Sequence, residues 1–142
     1  MVDPLRLAAL LDRLGTELAA LRRLAALPPS TLADDEDLLA AVKYRFIVAI
    51  EACIDAGRHV VASEGLRAPT DYADVFTVLG EGDLLDAATV AELRDAARFR
   101  NLLVHGYTAV DDSRVVEILQ NRLDDLDRFR VALAEAGNSE SR

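Results

Sequence analysis

The sequence predicts an all-α fold, a single up-and-down bundle of about five helices. Apolar residues recur every three or four positions along most of the chain, as they do on the buried face of a helix. Alanine, leucine and arginine are abundant, whereas there are only seven glycines and four prolines. No alternation of apolar and polar residues typical of a strand competes with this pattern.

The first two predicted helices are long. Leucines repeat at intervals of three and four over about residues 4–26, and the segment 27–30, which contains two prolines, ends that helix. A second helix runs to about Glu64. Its stretch 44–50 is apolar on nearly all sides, which predicts deep burial or a subunit interface.

Three further helices complete the predicted bundle. The third starts near Asp71 and fades at 80–82, the fourth ends at Gly106, and the fifth carries an apolar stripe from Val116 to Leu133. The candidate N-caps are Thr31 or Asp34 for the second helix, Asp86 or Thr89 for the fourth, and Asp111, Asp112 or Ser113 for the fifth.

Length and composition predict one globular domain over residues 1–142, with a core at about 4–136 and a polar tail at 137–142. The single cysteine, Cys53, excludes an internal disulfide and a cysteine-cluster metal site, and is expected to be an inert core thiol. No signal peptide and no membrane-length apolar run is visible, so we expect a cytoplasmic location and no membrane contact.

The net charge of −9 argues against a general role in coating nucleic acid, because phosphate contacts need lysine or arginine. An RNA-cutting role requires a local basic region. Arg94, Arg98 and Arg100 cluster along one segment of the fourth helix, and the first two share a helical face.

The end of the fourth helix combines groups that bind phosphate and move protons: Arg100, Asn101, His105 and Tyr107. A planar guanidinium stabilises phosphate charge and an imidazole is a general acid or base, which suits metal-free attack of a ribose 2′-OH on the adjacent phosphate. Arg100 and His105 diverge by about 140° on an ideal helix, so they would meet only at a frayed end or by sharing a site with another element or subunit. Alternatively, His105 simply caps the helix.

The second helix offers another set of polar residues. Glu51, Asp55 and His59 are spaced at four and share one face. They would form a metal site, a solvated polar stripe, or a support in which Glu51 or Asp55 orients Arg100 or His105 across the bundle. No second cluster completes a ligand set, so no metal site is predicted.

The run 98–107, followed by Val110 and Asp111, resembles the R-x4-H-x-Y signature of the HEPN superfamily. More closely, it is similar to the HepT-like ribonuclease toxins of HEPN–MNT toxin–antitoxin pairs. The segments 50–55 and 65–74 also resemble members of that group. The resemblance covers about residues 40–130.

This resemblance implies a dimer in which motifs from two subunits face one cleft. It also implies a metal-independent endoribonuclease that needs no cofactor and leaves a cyclic phosphate. Arg100 would hold the scissile phosphate of the RNA, and His105 would act as general base or acid. Asn101 would orient the phosphate or the histidine. Tyr107 corresponds to the tyrosine that a nucleotidyltransferase antitoxin of the MNT type modifies with AMP.

Two alternatives stay open on the sequence alone. The chain would be a catalytically idle HEPN companion that docks a nucleotidyltransferase, as the acidic charge allows. It would otherwise be a plain dimeric bundle in which the motif only caps a helix.

Overall fold

The computed structural model describes residues 3–106 and 109–140, and within them it confirms the all-α class, with seven helices and no strand. The helices are α1 (Pro4–Ala25), α2 (Pro29–Ala33), α3 (Glu36–Ser63), α4 (Tyr72–Glu81), α5 (Ala87–His105), α6 (Asp112–Asn121) and α7 (Leu123–Glu140).

The long helix α3 is the centre of the bundle. At ~1.5 Å per residue its 28 residues extend about 42 Å, and it packs against all six of the other helices. Phe46 of α3 meets Phe99 of α5 edge to face, with ring centroids 5.3 Å apart. Phe76 of α4 meets Phe129 of α7 in the same way at 5.4 Å. These aromatic pairs join the two sides of one continuous core.

The connection between the first two long helices differs from the prediction. The residues after α1 form the short helix α2, because Pro29 occupies a first-turn position where its missing N–H costs nothing. Asp35 then caps α3 by accepting hydrogen bonds from the N–H groups of Asp37 and Leu38, at 3.0 and 3.1 Å. The predicted caps Thr31 and Asp34 were therefore wrong, since both lie before the true start of the helix.

The predicted fifth helix is two helices, α6 and α7, separated at Arg122. The backbone of Arg122 leaves helical geometry at φ −118° and ψ 4°. Its guanidinium pairs with the nearly buried carboxylate of Asp125, which also accepts from Arg128. An apolar stripe shared by the two helices hid this break. The segment from 137, predicted as a polar tail, is helical as far as Glu140 because α7 continues through it.

The remaining boundaries follow the sequence closely. Asp86 caps α5 by accepting from the N–H of Thr89 at 2.8 Å, and Asp111 caps α6 by accepting from Ser113 at 3.0 Å. Cys53 is fully buried, and burial raises the pKa of its thiol well above the ordinary range, as expected of an inert core cysteine.

None of the helices in the described ranges combines the length and the apolar character needed to cross a bilayer.

Candidate active site

The last turn of α5 carries the motif residues that the structure describes. Gly106 ends the helix as predicted, and its N–H donates to the carbonyl of Leu102 at 2.8 Å. A side chain at position 106 would lie 3.2 Å from both the Leu102 carbonyl and its side chain, so glycine lets the chain turn closely here. Asn101 and His105 both lie exposed in this turn.

Arg100 points from α5 toward α3, and only 13% of its side chain is exposed. One terminal nitrogen of its guanidinium donates to Glu51 at 3.3 Å, and the other donates to the side-chain oxygen of Asn101 at 3.1 Å. The third donor, Nε, is buried without a hydrogen-bond acceptor among the described residues. Two neighbours therefore fix the orientation of a cation that still has one unsatisfied donor.

Tyr72 is the site residue that sequence reasoning missed. It is the first residue of α4, and the guanidinium carbon of Arg100 lies 5.1 Å from the centre of its ring. That distance is typical of a cation–π contact. The sequence gives no local signal for it, because the contact joins two helices through the tertiary fold.

His105 lies apart from Arg100. It is exposed at the end of α5, whereas Arg100 turns inward to α3. Within the described ranges no hydrogen bond or ion pair joins their side chains. This separation agrees with the roughly 140° divergence expected from helical spacing.

The polar stripe of α3 divides between two places. Glu51 contacts Arg100, as the sequence allowed, but Asp55 lies one turn further on and lines a separate cavity of about 600 Å³ with Arg6, Arg58 and His59. The Nε2 atom of His59 accepts a hydrogen bond from the backbone N–H of Asp3 at 3.3 Å. In the part of the chain that the structure describes, no group of three or more His, Cys, Asp or Glu side chains is placed to hold a metal ion.

The three arginines near the motif have different partners. Arg94 donates to the hydroxyl of Thr77 on α4 at 2.6 Å, and Arg98 pairs with Asp95 at 3.3 Å. Arg100 instead meets α3. Successive turns of α5 thus direct these side chains to different neighbours, and the predicted local basic region stays a prediction.

A second cavity, of about 330 Å³, opens between α3, α5, α6 and α7. Apolar side chains such as Phe46, Phe99 and Leu102 line it, and both acidic and basic side chains surround it. Leu102 is 46% exposed, and Val104 in the same turn is also exposed. The last turn of α5 therefore presents apolar as well as polar groups to solvent.

Tyr107 and Thr108 lie outside the described residues, so the predicted modification site has no structural account here. The segment that follows is anchored to α3. Asp112, the first residue of α6, pairs with the nearly buried Lys43 at 2.9 Å.

A family model and a curated relative both match this chain. The model of the family described as HepT-like, Ribonuclease HepT-like, matches residues 14–133. The curated protein named mRNA nuclease HepT, from Shewanella oneidensis, is 32% identical over 79 residues. That alignment spans 56% of this chain and 59% of the relative, so it covers less than two thirds of the relative's length.

Two solved structures share the fold along almost their whole length. A Bacillus subtilis structure titled as the cytosolic protein of unknown function YutE superposes with a TM-score of 0.86 at 19% identity, covering 98% of this chain and 93% of that one. A tri-AMPylated HEPN toxin of Shewanella oneidensis, in complex with MNT antitoxin, also gives 0.86, at 23% identity and with coverage of 95% and 99%.

Proposed function

The chain belongs to the ribonuclease HepT-like family, and we propose that it is the endoribonuclease toxin of a toxin–antitoxin pair. The observation that carries the proposal is the last turn of α5. There an exposed imidazole, His105, follows a guanidinium, Arg100, which Glu51 and Asn101 already hold in place. The relative named mRNA nuclease HepT, 32% identical over the aligned part, supports RNA as the substrate.

The proposed reaction is a transesterification within the RNA. The ribose 2′-oxygen forms a bond to phosphorus while the bond from phosphorus to the 5′-oxygen breaks, which leaves a 2′,3′-cyclic phosphate. His105 takes the 2′-proton, and a second acid group gives a proton to the departing oxygen. Arg100 stabilises the charge that gathers on the phosphate oxygens, and Asn101 holds its guanidinium. No metal takes part in this scheme.

We propose further that two subunits build each cleft. Within one chain Arg100 faces α3, whereas His105 faces solvent. The simplest arrangement is therefore a cleft in which Arg100 of one chain lies opposite His105 of the other. The exposed Leu102 and Val104 beside the motif support an apolar contact in this region.

Control of the toxin is assigned to Tyr107. A nucleotidyltransferase antitoxin of the MNT type would transfer AMP from ATP. The phenol of Tyr107 gives its proton to a base and its oxygen bonds to the α-phosphorus, while the bond from that phosphorus to the oxygen of the β-phosphate breaks and pyrophosphate leaves. The tri-AMPylated toxin of Shewanella oneidensis supports this step by its likeness in fold. Each added phosphate places negative charge beside the RNA cleft and repels the substrate.

Two observations favour a second function, that of a catalytically inactive companion subunit which docks a nucleotidyltransferase. Glu51 already partly neutralises Arg100, and the chain carries a net charge of −9. Both features oppose phosphate binding. Expression of the chain alone separates the two functions, because only the toxin arrests growth.

The test combines growth with intact mass. Expression of the chain alone should arrest growth and His105→Ala should relieve the arrest, since removal of a general acid or base costs on the order of 10²–10⁴ in rate. Co-expression with a nucleotidyltransferase of the MNT type should add mass in steps of one AMP unit, and Tyr107→Phe should remove those steps. Undiminished toxicity of the His105→Ala chain would contradict the toxin assignment.

A further inference from the structure

Among the aromatic residues that the structure describes, Tyr44 and Tyr72 are exposed, and Tyr72 is the one whose ring Arg100 covers. Phe46, Phe76 and Phe129 are at most 2% exposed, as core aromatics usually are. Tyr72 is 39% exposed. Tyr72 thus presents aromatic surface to solvent beside a candidate phosphate-binding arginine, and core packing does not explain that position.

The backbone that carries Tyr72 is held firmly. Asp71 caps α4 by accepting from the N–H of Asp74 at 2.8 Å. The Asp74 carboxylate accepts two hydrogen bonds from Arg67, at 2.8 and 2.9 Å, and one from the N–H of Thr70 at 2.9 Å. The Arg67 guanidinium holds the pKa of Asp74 well below its usual range. The loop before Tyr72 is therefore ordered in advance, which lowers the entropic cost of a contact made by its ring.

The geometry places the open part of the ring beside Arg100. The guanidinium carbon of Arg100 lies 5.1 Å from the ring centre and covers part of the ring. Solvent reaches 39% of the residue as a whole. A flat group stacked on the ring face opposite Arg100 would have the ring between itself and the guanidinium, and a phosphate linked to that group through its ribose would approach Arg100 past the edge of the ring.

The negative net charge of the protein limits the kinds of contact that can bind RNA at this site. At −9 the protein repels a polyanion, so phosphate contacts alone give weak binding. Stacking of a base on an aromatic ring contributes about 1–3 kcal/mol per base and does not depend on charge. Single-stranded RNA offers unpaired bases for such stacking.

We propose that Tyr72 is a stacking platform for a nucleobase of the RNA, beside the phosphate that Arg100 binds. This inference rests on the proposed ribonuclease function and adds a substrate-binding residue to it. It also specifies single-stranded RNA as the substrate, since a base paired within a duplex has no free face to offer the ring.

The experiment measures binding by the full-length chain carrying His105→Ala, so that the RNA stays intact. Two fluorescein-labelled probes are compared by anisotropy: a single-stranded oligoribonucleotide of mixed sequence, and a ribose-phosphate chain of equal length without bases. Tyr72→Leu should weaken binding of the first about tenfold, which corresponds to about 1.4 kcal/mol within the range for stacking. It should leave binding of the second unchanged. Tyr72→Phe, which keeps the ring, should bind both as before.

The other outcomes are distinct. Equal weakening of both probes by Tyr72→Leu would mean that Tyr72 only positions Arg100, and it would overturn the proposal. Unchanged binding of both probes would overturn it as well. If the His105→Ala chain with Tyr72 intact binds neither probe, the ribonuclease function fails together with the proposal.

A second measurement keeps the proposal testable if Tyr72→Leu does not fold. In the His105→Ala chain with Tyr72 intact, the ring-proton NMR resonances of Tyr72 should move upfield on addition of the base-bearing probe and stay in place with the abasic probe. Equal movement with both probes, or none with either, would contradict stacking.

Discussion

Arg100 meets three neighbours that act on it differently. Glu51 supplies opposite charge, Asn101 supplies a neutral acceptor, and Tyr72 supplies an aromatic face. The Glu51 carboxylate is 42% exposed, so its attraction for the guanidinium is screened by solvent and is readily exchanged for a phosphate. Glu51 therefore orients Arg100, and on the proposed function it would also compete with the RNA for it.

Glu51→Gln tests this double role. Loss of the negative charge should strengthen phosphate binding and lower KM by up to about fivefold, as expected for an exposed pair worth about 0.2–1 kcal/mol. The less firmly held guanidinium should lower kcat at the same time. Steady-state cleavage of a labelled RNA gives both constants. Glu135→Gln, an exposed acidic position on α7 with the same change in charge, should alter neither. A rise in KM would contradict competition between Glu51 and phosphate.

For single residues, the sequence predicts site residues that lie close together along the chain. Arg100, Asn101 and His105 were recognised as a set because their spacing and residue types are visible in one short run. Glu51 was identified as a possible support through helical periodicity. Tyr72 was missed, since its contact with Arg100 depends on how α4 docks against α5. The modification role of Tyr107 stays a prediction.

Among the helices, α3 carries the packing on which the site depends, and Gly57 lets it approach its neighbours closely. A β-carbon at this position would lie 2.7 Å from Val75 and 3.2 Å from Leu79, both buried in α4. Valine is branched at its β-carbon and turns away only at a cost. Helix α4 begins with Tyr72, so this close contact also positions the aromatic side of the candidate site.

Gly57→Ala and Gly15→Ala form a matched pair that tests this packing. At Gly57 the overpacking cost of about 1–3 kcal/mol should exceed the gain in helix propensity of about 1 kcal/mol and reduce stability by up to about 2 kcal/mol. At Gly15 a β-carbon meets no atom within 4 Å, so alanine should stabilise the protein by up to about 1 kcal/mol. Urea unfolding of the three proteins measures both. Stabilisation by Gly57→Ala would show that α3 and α4 are not closely packed there.

The helix boundaries show which signals in a sequence are reliable. Apolar periodicity located α1, α3, α4 and α5 to within a few residues. It did not reveal α2, which is too short to show a period, or the break between α6 and α7, because the apolar stripe continues across it. Arg122 pairs with Asp125, three residues further on, at that break, but such a spacing does not mark the end of a helix because i,i+3 ion pairs also form within helices.

For the whole molecule, a mechanism must accommodate an Arg100 that pairs with α3 and an exposed His105 that makes no hydrogen bond to it within the described ranges. A cleft shared by two chains does so without distortion of either. The acidic net charge is consistent with such an arrangement when the groups that bind phosphate are confined to the shared cleft.

Mixed dimers test the shared cleft. Subunits with Arg100→Ala and subunits with His105→Ala, given different affinity tags, should each be inactive alone. A purified mixed dimer should recover about half of the unsubstituted activity, because one of its two clefts contains both intact groups. Labelled RNA cleavage measures the recovery. Absence of any recovery in the mixed dimer would place both groups of a functional site on one chain.

The most direct test of the central claim is cleavage of RNA by the purified chain in the presence of EDTA. A mixed-sequence single-stranded RNA is compared with the same RNA carrying 2′-deoxyribose throughout, and the unsubstituted chain is compared with His105→Ala. Cleavage of the RNA alone is expected, with cyclic phosphate ends, and the cleavage rate should fall by a factor on the order of 10²–10⁴ with His105→Ala. Cleavage by the His105→Ala chain at the unsubstituted rate, or cleavage of the deoxyribose strand, would contradict the central claim.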